Sequence, residues 1–126
     1  MKTVKGITIF ALLALCSLVL LGCGSKADEN KPLSEVKAEA EKMDTKQLRA
    51  MAEEYEKVIM AKKGEIDKIT AKLKEIPITE MLGEEAKKLK ADIEKLNKSV
   101  NALRERFTIY YEKLKEKGGD ASGLQI

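Results

Sequence analysis

From Leu48 onward the apolar positions of the chain advance by alternate steps of four and three. Leu48, Ala52, Tyr55, Ile59, Ile66, Ile69, Leu73 and Ile76 form one such run, with Lys62 as its only charged member. A second run begins at Leu82 and continues through Ala86, Leu89, Ile93, Leu96, Val100, Leu103, Phe107, Tyr110 and Leu114. This spacing lines the side chains along one narrow stripe of a helix, the a/d seam of a coiled coil. The flanks are chiefly Lys and Glu, including the i,i+4 pairs Glu53–Lys57, Glu84–Lys88 and Glu94–Lys98, and read as a solvated face. Pro77 divides the runs, because it removes a backbone donor and pushes Ile76 out of helical geometry. The pattern predicts helix over 45–76, a turn at 77–79 and helix over 80–117. Thr79 is the expected N-cap of the last helix. Gly83 weakens its first turn, so regular helix is expected only from near Glu84.

Matched lengths and a short turn predict an all-α fold: an antiparallel two-helix coiled-coil hairpin, preceded by a short N-terminal helix. Positions whose numbers sum to 155 would face each other, pairing Leu73 with Leu82, Ile59 with Leu96, Tyr55 with Val100 and Leu48 with Phe107. Some mirrored register exists for any two heptad runs, so its weight comes from coinciding with the Pro-containing turn. Lys62 would then oppose Ile93, its stem packed and its amine in water. At ~1.5 Å per residue the arms would reach roughly 45–55 Å.

Leu33, Val36, Ala40 and Met43 repeat the same spacing out of phase with Leu48. The slip falls at Asp44-Thr45-Lys46-Gln47, which has the form of a capping box with Met43 and Leu48 at the staple positions. A helix over 33–43, a break, and a fresh start at Thr45 are therefore expected, with one continuous, locally slipped helix as the alternative. The short helix would cover Tyr110 and Leu114. Residues 24–31 are small, polar and charged and predict a flexible tether. Gly118-Gly119 closes the last helix, leaving 118–126 as a loose tail. A single seam without a disulfide is marginal, because conformational entropy offsets most of what burial contributes. Met51, Val58, Ile109 and Tyr111 lie off the seam and offer a second contact surface, for self-association or a partner.

The first quarter has another character. Lys2 and Lys5 precede a mostly apolar, uncharged stretch over 6–21, the pattern of a secretory signal peptide. That stretch falls short of the ~20 residues that span a bilayer comfortably. It ends in Leu20-Leu21-Gly22-Cys23, which resembles the lipobox of bacterial lipoproteins: a branched apolar residue, a tolerant position, a small residue, then cysteine. The resemblance implies cleavage between Gly22 and Cys23, with residues 1–22 as leader and 23–32 as lipidated cysteine plus linker. It also implies a thioether-linked lipid, and further acylation such as palmitate, on Cys23. The protein would then be membrane-anchored in the cell envelope, outside the cytoplasm. Gly24 in place of Asp leans toward the outer membrane if the cell has one.

Composition removes several classes of function. Without Lys2 and Lys5, the 24 Lys+Arg become 22 against 21 Asp+Glu, too even a balance for a nucleic-acid footprint. There is no His and no Trp. A general base of the usual kind is thus lacking, a lipidated Cys23 is no nucleophile, and neither His nor free Cys remains for a metal. No enzyme activity, cofactor, nucleic acid or small-molecule substrate is expected. The expected role is structural or protein-interacting, with Ile76, Pro77, Ile78 and Met81 at the turn as contact residues, unless they fold back to cap the arms. The alternative is a chaperone-like or apolar-ligand holder built from oligomerised hairpins. The chain also resembles murein lipoprotein in being a small helical lipoprotein. That family ends in a lysine used for covalent linkage, whereas this chain ends in Gln125-Ile126.

Overall fold

The structure, a computed structural model, describes residues 26–126. They form three α-helices, α1 (Leu33–Lys42), α2 (Thr45–Glu75) and α3 (Glu84–Glu116), with a 3-10 turn at Ile78–Glu80. The two long helices pack together, and α1 packs on α3. With 31 and 33 residues, α2 and α3 are each roughly 50 Å long at ~1.5 Å per residue.

Local chemistry accounts for each boundary. Met43 leaves helical geometry at ψ 145° and ends α1. The capping box restarts the chain: the Gln47 N–H donates to Asp44 Oδ1 at 2.8 Å, and the Asp44 N–H donates to Gln47 Oε1 at 3.1 Å. Two orphan donors of a helix start are thereby satisfied, which fixes a break rather than a slipped continuous helix. Ile76, ahead of Pro77, is extended at ψ 128° and stops α2. At the far end of α3, Gly118 adopts φ +75°. The Gly119 N–H bonds to the Leu114 carbonyl and the Gly118 N–H to that of Lys115. This is a Schellman closure, and it needs a residue that tolerates positive φ.

Within the expected 80–117 span, regular helix begins at Glu84, where Gly83 led it to be expected. Thr79 lies in the 3-10 turn rather than at an N-cap, and Gly83 holds the N-cap position of α3. Glu84 and Glu85 in the first turn suit the positive end of the helix dipole. The connection is thus longer than a tight Pro turn, and the register shifts with it. Leu82, expected to face Leu73, is 83% exposed. Tyr55 stacks on Tyr110, with centroids 5.6 Å apart, instead of facing Val100. Thr45, at the start of α2, lies against Gly119 just past α3, so these two contacts have position sums of 164 and 165 rather than 155. Pro77 and Gly83 take the residues between them out of the seam, and the pairing moves by more than a heptad.

The buried core occupies only part of the rod. Leu48, Ala52, Tyr55 and Ile59 of α2 meet Val100, Leu103, Phe107, Tyr110 and Leu114 of α3, together with Val36 and Ala40 of α1 and Leu124. Toward the 3-10 turn, Lys62, Ile66, Ile69, Leu73, Leu89, Ile93 and Leu96 are only half-buried. Apart from Ala86, which is fully buried, the larger a/d side chains are buried fully only where a third layer covers them. Met51, Val58, Ile109 and Tyr111 are part of this covered region, half-buried against the core. Amide hydrogen exchange is expected to be faster over 62–75 and 84–96 than over 48–59 and 100–114. Uniform protection along both helices would contradict this division.

The segments expected to be loose are packed. Ala27 and Ala121 lie against the core, and Leu124 is 7% exposed. Arg49 donates to the carbonyls of Asp120 at 2.6 Å and Ser122 at 3.1 Å, and the Gln125 N–H donates to Glu56 at 2.7 Å. The ends of the chain supply the layer that a two-helix pair lacks.

Candidate functional site

Two regions expected to carry function are the lipobox and the turn. Gly22 and Cys23 lie outside the described residues, so the structure begins three residues after the expected lipid attachment point. What it shows is how the chain that follows is held.

Asp28 is clamped by Tyr55 of α2: the hydroxyl accepts from the Asp28 N–H and donates to its carbonyl, both at 3.2 Å. The Glu29 carboxylate accepts from the Ser99 hydroxyl of α3 and lies 3.9 Å from Lys62 Nζ. Lys62, the one charged position of the α2 run, thus has a carboxylate of the N-terminal segment beside it, and its side chain remains 27% exposed. The Lys31 carbonyl accepts two hydrogen bonds from the Arg106 guanidinium, at 2.9 Å from Nε and 2.6 Å from Nη2. Arg106 also donates to the Ala102 carbonyl at 2.7 Å. It is 7% exposed, so this planar fork is buried on backbone acceptors. Nothing in the a/d pattern singled out Arg106, Ser99 or Tyr55 as a clamp. Arg106 follows Glu105 beside the stripe and looks like any solvated flank residue.

Charge continues the clamp along α1. The Glu39 carboxylate accepts from the Lys31 ammonium and from the Tyr110 hydroxyl, the latter at 3.1 Å. The lysine holds the Glu39 carboxyl below its usual range, and Glu39 in turn raises Lys31. Burial pushes the Tyr110 hydroxyl well up, and the Glu39 acceptor adds to the effect. Glu41 pairs with Lys113 at 2.6 Å, which lowers its carboxyl in the same direction. A depressed carboxylate stabilises the fold above its unfolded value near 4.5. That stabilisation is lost as pH falls through the lower folded value. The melting temperature is thus expected to be flat through neutral pH and to drop on acidification below about pH 4.5. Glu39→Gln should flatten part of that drop. Because Glu39 is partly exposed, the contribution is modest. A steeper acid loss in the variant would contradict the assignment.

At the other end the turn divides its apolar residues. Ile78 is 92% and Leu82 83% exposed, and Pro77 is exposed as well. Ile76 and Met81 are half-buried, and the Met81 carbonyl accepts from Lys90 Nζ at 3.4 Å. Of the four expected contact residues, Pro77 and Ile78 project while Ile76 and Met81 lean inward. Leu82, read as a seam position, joins the projecting pair. Its heptad spacing disguised it, and only the start of α3 beyond it releases it.

Among the described residues no group of His, Cys, Asp and Glu is arranged to hold a metal, and no helix is long and apolar enough to cross a membrane. The groove between the long helices is lined by Glu29, Lys62, Glu65, Asp92, Lys95 and Ser99 beside Ile69 and Leu96. Such a surface is charged and open to solvent. Compared with protein-family models, curated proteins and solved structures, the chain finds no match.

Proposed function

We propose that this chain is a lipid-anchored coiled-coil protein of the cell envelope, held to a membrane through Cys23, with a structural or protein-interaction role. The observation that carries the reading is the basic and apolar leader ending in Leu20-Leu21-Gly22-Cys23. Reverse-order contacts between α2 and α3 support an antiparallel coiled coil as the body, in a register longer at the turn than a two-residue reversal allows. Ile78 and Leu82, exposed on the same turn, support a contact made by the tip. Large apolar side chains placed together at a protruding end favour association more than single ones scattered over a surface.

Photo-crosslinking in intact envelopes tests the tip contact. A photoreactive residue at Ile78 or Leu82 is expected to give a discrete adduct that the same residue at exposed Lys57 does not give. Adducts of equal yield at all three positions, or none at the tip, would remove the tip from the account. Light scattering and apolar-dye binding address the holder reading, for which a dye-binding oligomer is required.

A further inference from the structure

The chain nearest the expected anchor is not a free leash. Lys26, the first described residue, lines a groove of about 630 Å³ between α1 and α2, whose walls carry Met43, Gln47 and Met51 together with the carboxylates of Glu39, Glu53 and Glu54. Ala27 packs on the core, Asp28 is held by Tyr55, and Lys31 by the Arg106 fork. Only three residue steps separate Cys23 from Lys26. At ~3.3–3.6 Å per residue, that interval spans at most about 11 Å. A cysteine whose acyl chains lie in a bilayer sits at headgroup level, so the mouth of this groove must stay within that reach of the headgroups.

We propose that residues 26–32 act as a latch holding the α1–α2 face of the body against the lipid surface that carries the chain's own anchor. The inference rests on the reading that Cys23 is acylated, and deepens it by assigning the face presented to the membrane. No strong attraction is needed. A tether this short makes the encounter intramolecular, at an effective concentration in the millimolar range. Half-buried Met43 and Met51 offer flexible apolar surface at the groove. The Lys26 ammonium suits a phosphate headgroup, while Lys31 is already committed to Glu39. The turn stays clear of this contact. From Met51 to the end of α2 at Glu75, the helix runs on for roughly 36 Å, so Ile78 and Leu82 lie at the end remote from the anchor. One end of the rod is thereby fixed to the lipid surface, and the other is left available to a partner.

The test uses the acylated protein in vesicles of phosphatidylethanolamine and phosphatidylglycerol containing a headgroup-attached nitroxide quencher. A fluorophore is placed on a cysteine introduced at Gln47, in the natural chain and in one carrying roughly ten Gly-Ser residues inserted before Lys26, which add up to about 36 Å of reach. The insertion lies ahead of the described residues and lengthens the tether. Quenching at Gln47 is expected to fall at least about twofold on insertion, as the longer tether dilutes the face away from the surface. Arg106→Ala, checked for retained helicity, is expected to move quenching in the same direction. Undiminished quenching in acylated protein carrying the insertion would overturn the latch while leaving the anchor intact. Protein recovered without acyl mass would remove the anchoring reading and this inference together.

Discussion

Replacing Cys23 with serine is expected to abolish palmitate incorporation and to leave a precursor that retains residues 1–22. The difference is one of nucleophile: a thiolate forms the thioether to the diacylglyceryl group, and thiols reach that ionisation near neutral pH. A serine hydroxyl stays protonated there. In the lipoproteins that this leader resembles, acylation precedes cleavage, so the two defects should appear together. Each methylene buried in the bilayer contributes about 0.8 kcal/mol, and two chains make the attachment stable where one leaves it reversible. The effect is thus all-or-none in label rather than graded. Metabolic labelling with palmitate, followed by gel mobility, reads both outcomes. Undiminished label in Cys23→Ser would place the lipid elsewhere or show that the sequence is not a lipobox.

The largest effect on stability is expected at Tyr55. Its ring is fully buried and stacks on Tyr110, with centroids 5.6 Å apart. Its hydroxyl closes both hydrogen bonds to Asp28. Truncation to alanine removes the aromatic volume from the one region where three layers meet, which costs about 3–5 kcal/mol in comparable cores. A domain of this size has only about 5–15 kcal/mol to lose, so Tyr55→Ala should melt far below the natural chain. Tyr55→Phe keeps the ring and removes only the two backbone contacts. Its cost should be near 1 kcal/mol, with release of the N-terminal segment as the main consequence. Thermal melts followed by circular dichroism separate the two variants. A Tyr55→Ala protein as stable as Tyr55→Phe would show that the ring stack does not hold the core.

Much of this architecture could be read from the residues before the structure. The capping box at Asp44 to Gln47 broke the chain where expected because both halves of the motif are local: an acceptor and an amide three residues apart. Pro77 and Gly118 were equally legible, since each acts through its own backbone geometry. The register was not. A heptad pattern fixes which face is apolar, but not which turn of one helix meets which turn of the other. That was set by how many residues Pro77 and Gly83 withdraw into the connection. Leu82 illustrates the cost, an apolar residue in perfect phase with the seam and yet exposed.

Polarity misled at the ends for a different reason. Residues 26–31 and 120–125 are mostly polar or small and read as unstructured, yet besides Leu124 in the core they are held by backbone N–H and carbonyl groups, which every sequence carries. Tyr55, Arg49 and Arg106 reach those groups from the helices, and nothing in the a/d pattern marks a tyrosine or an arginine as a clamp. At the turn the apolar content was visible, whereas the division into projecting and inward residues depended on the 3-10 turn. Lys62 is half-buried, and its partner Glu29 came from a segment given no role in the core.

The latch and the orientation of the rod both follow from where the chain meets lipid. The most direct test is the intact mass of the protein isolated from its native membrane. The predicted species begins at Cys23 and carries a diacylglyceryl group on the sulfur. A full-length chain with residues 1–22 in place and a free thiol at Cys23 would contradict it.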